Sequence, residues 1–237
     1  MTGAEVPGGK TGVGGGAGVG SAGRGSTGGG DRADGFRVLG RADRFAGQRI
    51  SVSEVMVEAP DGGVFSREIV RHPGAVAVVA VSPASVATVV DGQPGDILAT
   101  DDPAALDVFL VRQFRAAFGG EVLEIPAGTL DVEGETPEAA AYRELEEEVG
   151  QVAGGMERLG EIYNSPGICD ERTFVFLATG LSQGARAGDG PEERYMSVVR
   201  MPVAQAVERC LAGEIHDAQT VVGLLLARDR LFGGTGA

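Results

Sequence analysis

The 237-residue chain is long enough for one large domain, or for a main domain with a small appendage. Its formal net charge of −14 gives no electrostatic attraction to nucleic acid or to an anionic membrane, and no basic patch interrupts the acidic composition. No segment approaches the roughly 20 apolar residues of a membrane span, and the N-terminus lacks the apolar core of a signal peptide. The two cysteines, Cys169 and Cys210, lack metal-site spacing, so we expect reduced thiols in a cytoplasmic protein.

The N-terminal part of the chain divides into a tail and a β-rich segment. Residues 1–35 are dominated by glycine and bury too little apolar surface to offset the entropy of ordering, so we expect a disordered tail. Next, ISVSEVMVEA (50–59), the turn PDGG (60–63) and VFSREIV (64–70) are typical of a β-hairpin. Residues 36–72 are therefore predicted to be β-rich.

The remaining residues are predicted to form a main domain over 73–231, followed by a flexible C-terminus at 232–237. Residues 83–106 are rich in turn formers and acid, which indicates a long loop. Strands are predicted at 74–82, 107–114, 121–128, 158–164, 172–179 and 195–201. Helices are predicted at 136–150, 202–212 and 217–231. Strands that surround one strong helix, with further helices at the end, indicate an α/β or α+β sandwich.

The helix at 136–150 carries the clearest local signals in the chain. Thr136 suits the N-cap, Pro137 suits the first helical position, and Gly150 suits the C-terminal cap. On a helix of this register, Tyr142 falls on the apolar arc and is expected in the core.

Three glutamates share another arc of this helix: Glu144, Glu147 and Glu148. Like charges at these spacings destabilise a helix by about 0.2–0.5 kcal/mol per pair. One interpretation is a solvated acidic face, relieved by pairing of Arg143 with Glu147. The other is a site for a hard cation such as Mg²⁺, which prefers oxygen ligands. Glu146 points away from this arc and is expected to be solvated.

The surroundings of the helix extend the pattern to Glu135-x7-Arg143-Glu144-Leu145-x-Glu147-Glu148-x-Gly150. This run resembles the Nudix box, G-x5-E-x7-R-E-U-x-E-E-x-G-U, in which U is aliphatic. Two positions depart from the box: six residues rather than five separate Gly128 from Glu135, and Gln151 occupies the last aliphatic position. The extra residue is expected to lengthen the loop before the helix. The resemblance implies a Nudix hydrolase with an α/β/α sandwich.

By this resemblance, the glutamates of the box bind a divalent metal against a pyrophosphate. Glu144 and Glu148 become the main carboxylate ligands, Glu147 a further ligand, and the carbonyl of Ala127 a backbone ligand. Glu147 and Arg143 also belong to the implied catalytic set, with Arg143 and Glu135 holding the loop and the helix together. The implied cofactor is Mg²⁺, with Mn²⁺ as the alternative.

Further features resemble the ADP-ribose pyrophosphatase subgroup of the family. Pro166 lies sixteen residues after Gly150, where that subgroup carries a proline. Three stretches also look like subgroup segments, namely 67–81, 110–128 and 213–227. In that subgroup a small N-terminal β domain pairs two protomers, so the resemblance implies a homodimer through residues 36–72.

The same mapping assigns the substrate-binding and catalytic side chains. Arg67 and Arg115 are implied to bind the substrate's phosphates or terminal ribose, a task that suits a guanidinium fork; a surface ion pair is the alternative for each. The catalytic glutamate of the subgroup lies on a loop between late strands, here GARAGDGPEERYM (184–196). Glu193 fits that role best, and Glu192 is the alternative.

The resemblance thus implies hydrolysis of ADP-ribose, a small-molecule nucleoside diphosphate sugar, to AMP and ribose 5-phosphate. Two alternatives stay open. One is the same chemistry on another nucleoside diphosphate sugar or nucleotide. The other is a module that binds ADP-ribose without turnover, against which the intact glutamates and Arg143 argue.

Overall fold

The structure of the chain, a computed structural model, describes residues 35–83, 105–186 and 193–233. The expected tail at 1–35 and loop at 83–106 lie almost entirely outside these residues, as does most of the C-terminus expected at 232–237. Among the described helices, none is long and apolar enough to cross a bilayer.

Three strands near the N-terminus form a separate antiparallel sheet in the order β1-β2-β3: β1 (Arg37–Ala46), β2 (Ser51–Glu58) and β3 (Val64–Arg71). The hairpin predicted over 50–70 is confirmed, with Glu58 paired to Val64 across the turn. The ten-residue β1 was not singled out from the sequence, because its apolar residues do not alternate regularly. Every residue of β1 is exposed.

A second, mixed sheet forms the centre of the main domain. Its strands are β4 (Ala75–Pro83), β5 (Leu106–Arg115), β6 (Gly120–Glu124), β7 (Ala127–Thr129), β9 (Gly155–Tyr163), β10 (Arg172–Thr179) and β12 (Ser197–Pro202). The strand order is β12-β5-β4-β10-β9, with β6 paired to β5 and β7 paired to β4. β4 and β10 are parallel, and the other neighbours are antiparallel.

Three helices cover the two faces of this sheet: α1 (Pro137–Val149), α2 (Val203–Leu211) and α3 (Ala218–Phe232). Alternate residues of β4 pack on opposite faces of the sheet. One face packs against α1 through Val76, Val78 and Ala80, and the other packs against α2 and α3 through Ala77, Val79 and Val81. All six are fully buried, and burial of one such valine contributes about 1.5 kcal/mol or more. The α/β/α sandwich expected from the sequence is therefore confirmed.

The strand predicted at 121–128 is wrong in one respect, because it is two strands. β6 ends at Glu124 and pairs with β5, whereas β7 starts at Ala127 and pairs with β4. Pro126 lies between them, and proline has no N–H to continue a ladder. Its carbonyl instead accepts a hydrogen bond from the Val78 amide at 2.8 Å. Two short strands were not predicted, β8 (Gln151–Val152) and β11 (Ser182–Gln183), which pair with each other.

Candidate functional site

The helix α1 begins and ends as its sequence predicted. The Thr136 hydroxyl accepts a hydrogen bond from the Ala139 amide at 3.2 Å, and Pro137 occupies the first turn. Gly150 adopts the left-handed conformation with φ of 70°, and its amide donates to the Glu146 carbonyl at 2.9 Å. The apolar side of α1 packs on the sheet through Ala140, Ala141, Leu145 and Val149, with Tyr142 partly buried against them. The acidic arc consequently faces away from the sheet core.

Arg143 joins three carboxylates beside this helix. Its Nε and Nη2 each donate to Glu135 at 2.9 Å, and its Nη1 donates to Glu144 at 2.7 Å and to Glu147 at 3.0 Å. The pairing of Arg143 with Glu147 predicted from the sequence is thus present. Hydrogen bonding to Glu135 is the largest cause that raises the pKa of Arg143, against the opposing effect of burial. The same bond holds the pKa of Glu135 below its usual range.

The turn that carries β7 lies directly against the acidic arc. The buried carboxylate of Glu148 accepts a hydrogen bond from the Ala127 amide at 3.0 Å. A Cβ at position 128 would overlap the carboxyl group of Glu144, so a glycine is needed there for close approach. Glycine at the start of the box therefore lets the turn and the helix share one small site.

The position of this turn depends on the start of α3. Asp217 caps that helix, accepting hydrogen bonds from the Thr220 amide at 2.8 Å and the Thr220 hydroxyl at 2.7 Å. The Thr220 hydroxyl in turn accepts from the Ile125 amide at 2.8 Å. Thr220 is fully buried, and its hydrogen bond with Ile125 fixes the position of the link between β6 and β7.

The acidic arc and the β7 turn line an open groove of about 770 Å³. Arg115 lines the same groove; its Nε and Nη2 donate to Glu124 at 2.9 and 2.6 Å. Hydrogen bonding to Glu124 is the largest cause that raises the pKa of Arg115. Gln113 also donates to Glu124, at 2.9 Å. Arg115 is therefore a half-exposed guanidinium that lines the groove and pairs with the buried Glu124.

The groove is rich in oxygen ligands suited to a hard cation. Its lining includes five carboxylates: Asp131, Glu144, Glu147, Glu148 and Glu171. Hard divalent cations bind such groups, often with carbonyl oxygens and water. Within the described ranges, no three His, Cys, Asp or Glu side chains form a preassembled metal cluster, and Arg143 Nη1 hydrogen-bonds to both Glu144 and Glu147. The donor chemistry fits a divalent metal, and binding would draw these carboxylates away from the guanidinium.

Arg67 is a predicted site residue that lies outside this groove. It lies on β3, where its Nη1 donates to the Ser66 carbonyl at 2.8 Å and its guanidinium lies 4.5 Å from the Phe65 ring centre. Glu193 begins a 3-10 turn that ends at Tyr195, and Glu192 lies outside the described residues.

Glu146, which was expected to be solvated, is half-buried, and its carboxylate accepts a hydrogen bond from the Ala185 amide at 3.3 Å. This contact attaches the segment after β11 to the outer side of α1. The sequence suggested solvation because the residue points away from the acidic arc, and the partner is 39 positions away.

Several groove residues were not anticipated: Arg49, His72, Gln113, Glu171 and Gln219. Arg49 follows β1 and is exposed, and it has no hydrogen bond or ion pair with the rest of the described chain. The neighbourhood of Pro166 offered a signal for Glu171, which lies in the same YNSPGICDE stretch. No local pattern pointed to the other four, because tertiary folding alone brings them to the groove.

Comparison with known proteins identifies the family of the chain. A model of the NUDIX domain matches residues 95–221. The chain is 38% identical to an ADP-ribose pyrophosphatase of Mycobacterium tuberculosis (strain ATCC 25618 / H37Rv) over 169 residues, which cover 71% of the chain and 72% of that protein. It is 34% identical to an ADP-ribose pyrophosphatase of Bacillus subtilis (strain 168) over 188 residues, or 79% of the chain and 90% of that protein.

The fold is also similar to that in a crystal structure of an ADP compounds hydrolase. The TM-score is 0.66 at 22% identity, covering 86% of the chain and 98% of that structure. This likeness supports the α/β/α sandwich. The NUDIX domain model matches more than half of the chain, and the two ADP-ribose pyrophosphatases match it over most of their length. The chain therefore belongs to the Nudix family and is a Nudix hydrolase.

Proposed function

We propose that the protein hydrolyses the pyrophosphate bond of ADP-ribose, giving AMP and ribose 5-phosphate. The observation that carries the proposal is the contact of Arg143 with Glu135, Glu144 and Glu147 at the edge of a groove that Glu148 also lines. The intact Arg143, Glu144, Glu147 and Glu148 of the box favour turnover over binding alone. The substrate follows from the similarity to two ADP-ribose pyrophosphatases over most of their length.

Nudix hydrolases generally need divalent metal ions. The ion proposed for this protein is Mg²⁺, with Mn²⁺ as the alternative. Its ligands would be the carboxylates of Glu144, Glu147 and Glu148 and the carbonyl oxygen of Ala127. When bound, it supplies positive charge that offsets the charge of the pyrophosphate and of the leaving phosphate.

The protein's own residues would position the reactants. A water oxygen bonds to one phosphorus, the bond from that phosphorus to the bridging oxygen breaks, and the water's proton passes to a carboxylate. Glu193 is the proposed acceptor, and Glu192 and Glu147 are the alternatives. Arg143, held by Glu135, keeps the acidic arc in place, because its hydrogen bonds reach both the loop and the helix.

Arg115 is the proposed ligand for a substrate phosphate or ribose. Its bonds to Glu124 use Nε and Nη2, and Nη1 makes no hydrogen bond to the described residues. A guanidinium held on one edge offers its other edge at low entropic cost. The pair with Glu124 would therefore orient the arginine for a phosphate in the groove.

A homodimer is proposed through the β1–β3 sheet, in a protein that we also propose to be cytoplasmic. The sheet and its connections expose large apolar side chains: Phe36, Val38, Leu39, Phe45, Ile50, Met56 and Val64. Such a patch is typical of an interface. Pairing would allow Arg67 of one protomer to serve the groove of its partner. Light scattering should then give twice the 24.2 kDa chain mass, and a single-chain mass would refute the dimer.

The substrate assignment is tested by a panel of ADP-ribose, NADH, diadenosine polyphosphates and sugar nucleotides, incubated with Mg²⁺ or Mn²⁺. We expect the highest kcat/KM for ADP-ribose. Preferred turnover of another compound would assign the same chemistry to that substrate. Binding of ADP-ribose with no turnover of any compound would instead identify a binding module.

A further inference from the structure

The end of β3 is fastened to the turn that precedes β10. The Val70 amide donates to the Ile168 carbonyl at 2.8 Å, and the Asp170 amide donates to the Val70 carbonyl at 3.1 Å. Val70 and Cys169 form an isolated parallel bridge at the same place. The N-terminal sheet therefore continues, through backbone hydrogen bonds, into the Pro166 turn of the main domain.

The side chain of Asp170 completes this attachment. One carboxylate oxygen accepts a hydrogen bond from Arg71 Nη1 at 2.7 Å, and the other accepts from the His72 amide at 2.9 Å. Partial burial alone would raise the pKa of Asp170, but the hydrogen bonds from Arg71 and His72 outweigh it and hold the pKa below its usual range. The charged form is thus the one that joins two segments nearly a hundred residues apart in sequence.

This contact lies beside two residues of the groove lining. His72 donates its amide to the contact, Glu171 follows Asp170 in the sequence, and both residues line the groove. The His72 ring accepts a hydrogen bond from the Gly74 amide at 3.1 Å. Glu171 accepts from Gln219 at 3.4 Å, and Gln219 also lines the groove. Moving Asp170 would therefore change the spacing of His72 and Glu171.

We propose that Asp170 is a positioning residue, which sets the part of the groove lining formed by His72 and Glu171 by clamping Arg71 and the His72 amide. The proposal rests on the proposed function in that the groove binds a nucleoside diphosphate sugar. Among the described residues, the clamp makes no hydrogen bond or ion pair with α1, so its loss should weaken substrate binding more than the chemical step. It also gives the N-terminal sheet a defined attachment to the substrate groove.

The first test follows the clamp without any substrate, using the thiol of Cys169. Cys169 is half-buried beside the clamp, whereas Cys210 is buried in the core. Labelling by a neutral thiol reagent would be measured for the wild type, Asp170→Ala and Arg71→Ala. A Cys169→Ser variant assigns the signal. Removing the acid and removing the base change the local charge in opposite directions, so only an opened clamp accelerates labelling in both variants.

The second test measures kcat and KM for the same variants, with saturating divalent metal and the best substrate of the panel. We expect Asp170→Ala and Arg71→Ala each to raise KM about tenfold, the loss expected for a hydrogen bond between charged groups, with a smaller change in kcat. Asp170→Asn keeps an acceptor for the His72 amide and should give a smaller rise in KM. Glu157→Ala is the matched control, since Glu157 forms an exposed ion pair with Arg230 at 2.7 Å, which involves no groove-lining residue.

Faster labelling of Cys169 in both variants, together with a raised KM, supports the proposal. Unchanged labelling in either variant would overturn the clamp. Faster labelling with a KM equal to that of Glu157→Ala would overturn its positioning role. Failure of the ADP-ribose assignment is visible in the wild type on the panel, and is thereby separate from these outcomes.

Discussion

The backbone of Gly128 lies so close to the carboxylate of Glu144 that a side chain at position 128 would occupy the same space. Gly128→Ala should therefore displace Glu144 or the β7 turn. We expect kcat/KM to fall by about a hundredfold, because small displacements in an active site have effects of that order. Steady-state kinetics would measure this fall in kcat/KM, and a metal titration should show weaker metal binding as its cause.

The matched control is Gly120→Ala. Gly120 lies at the start of β6 and has open space where a Cβ would stand, so this variant should retain activity. Comparable activity of Gly128→Ala and wild type would contradict the close packing of glycine and carboxylate.

Arg143→Lys tests the brace of the site. Lysine keeps the charge, but it cannot reproduce the paired bonds to Glu135 together with those to Glu144 and Glu147. We expect kcat/KM to fall at least tenfold and the free energy of unfolding to fall by about 1–2 kcal/mol. Arg158→Lys, which alters an exposed pair with Glu161, should leave both quantities nearly unchanged. Equal behaviour of the two variants would show that Arg143 is an ordinary surface charge.

Glu193→Gln tests the proposed proton acceptor. Because the change removes the base but leaves the acidic helix intact, turnover should fall by roughly a hundredfold or more, while the affinity for divalent metal stays near that of wild type. Single-turnover kinetics and calorimetric metal titration separate the two effects. Wild-type turnover in this variant would move the role to Glu192 or Glu147, and Glu192→Gln would distinguish them.

The Asp170 clamp also predicts a pH dependence of stability. The folded pKa of Asp170 lies below the ordinary aspartate value of about 3.8. The clamp's contribution is therefore fully present above that ordinary value and is lost as pH falls through the lowered folded pKa. The difference in Tm between wild type and Asp170→Asn should be constant from about pH 8 to pH 5 and shrink below about pH 4. A Tm difference that grows towards acid pH would contradict a lowered pKa of Asp170 in the folded protein.

Local signals in the sequence predicted α1 well, since Thr136, Pro137 and Gly150 act on neighbouring backbone groups. The spacing of the box likewise identified Arg143 and the acidic arc. β4 was recognisable as a buried strand because residues 76–81 pack on both sheet faces. Each of these features depends on residues within a few positions of one another.

The part of the groove lining that His72 and Glu171 form was not predictable in this way. Asp170 meets Arg71 and His72 across nearly a hundred residues, and neither side carries a pattern that names its partner. The link between β6 and β7 is similarly fixed by a hydroxyl from Thr220, 95 positions away from Ile125. Glu146 likewise acquires its partner from Ala185, 39 positions away.

The central claim is metal-dependent cleavage of a pyrophosphate by the carboxylates of α1. The most direct measurement is mass-spectrometric identification of products from ADP-ribose and Mg²⁺ with the wild type and with Glu148→Gln. Glutamine retains an acceptor for the Ala127 amide and should preserve the fold, which circular dichroism would check. We predict equal amounts of AMP and ribose 5-phosphate from the wild type and none from folded Glu148→Gln. Intact ADP-ribose with the wild type, or undiminished products with Glu148→Gln, would contradict the claim.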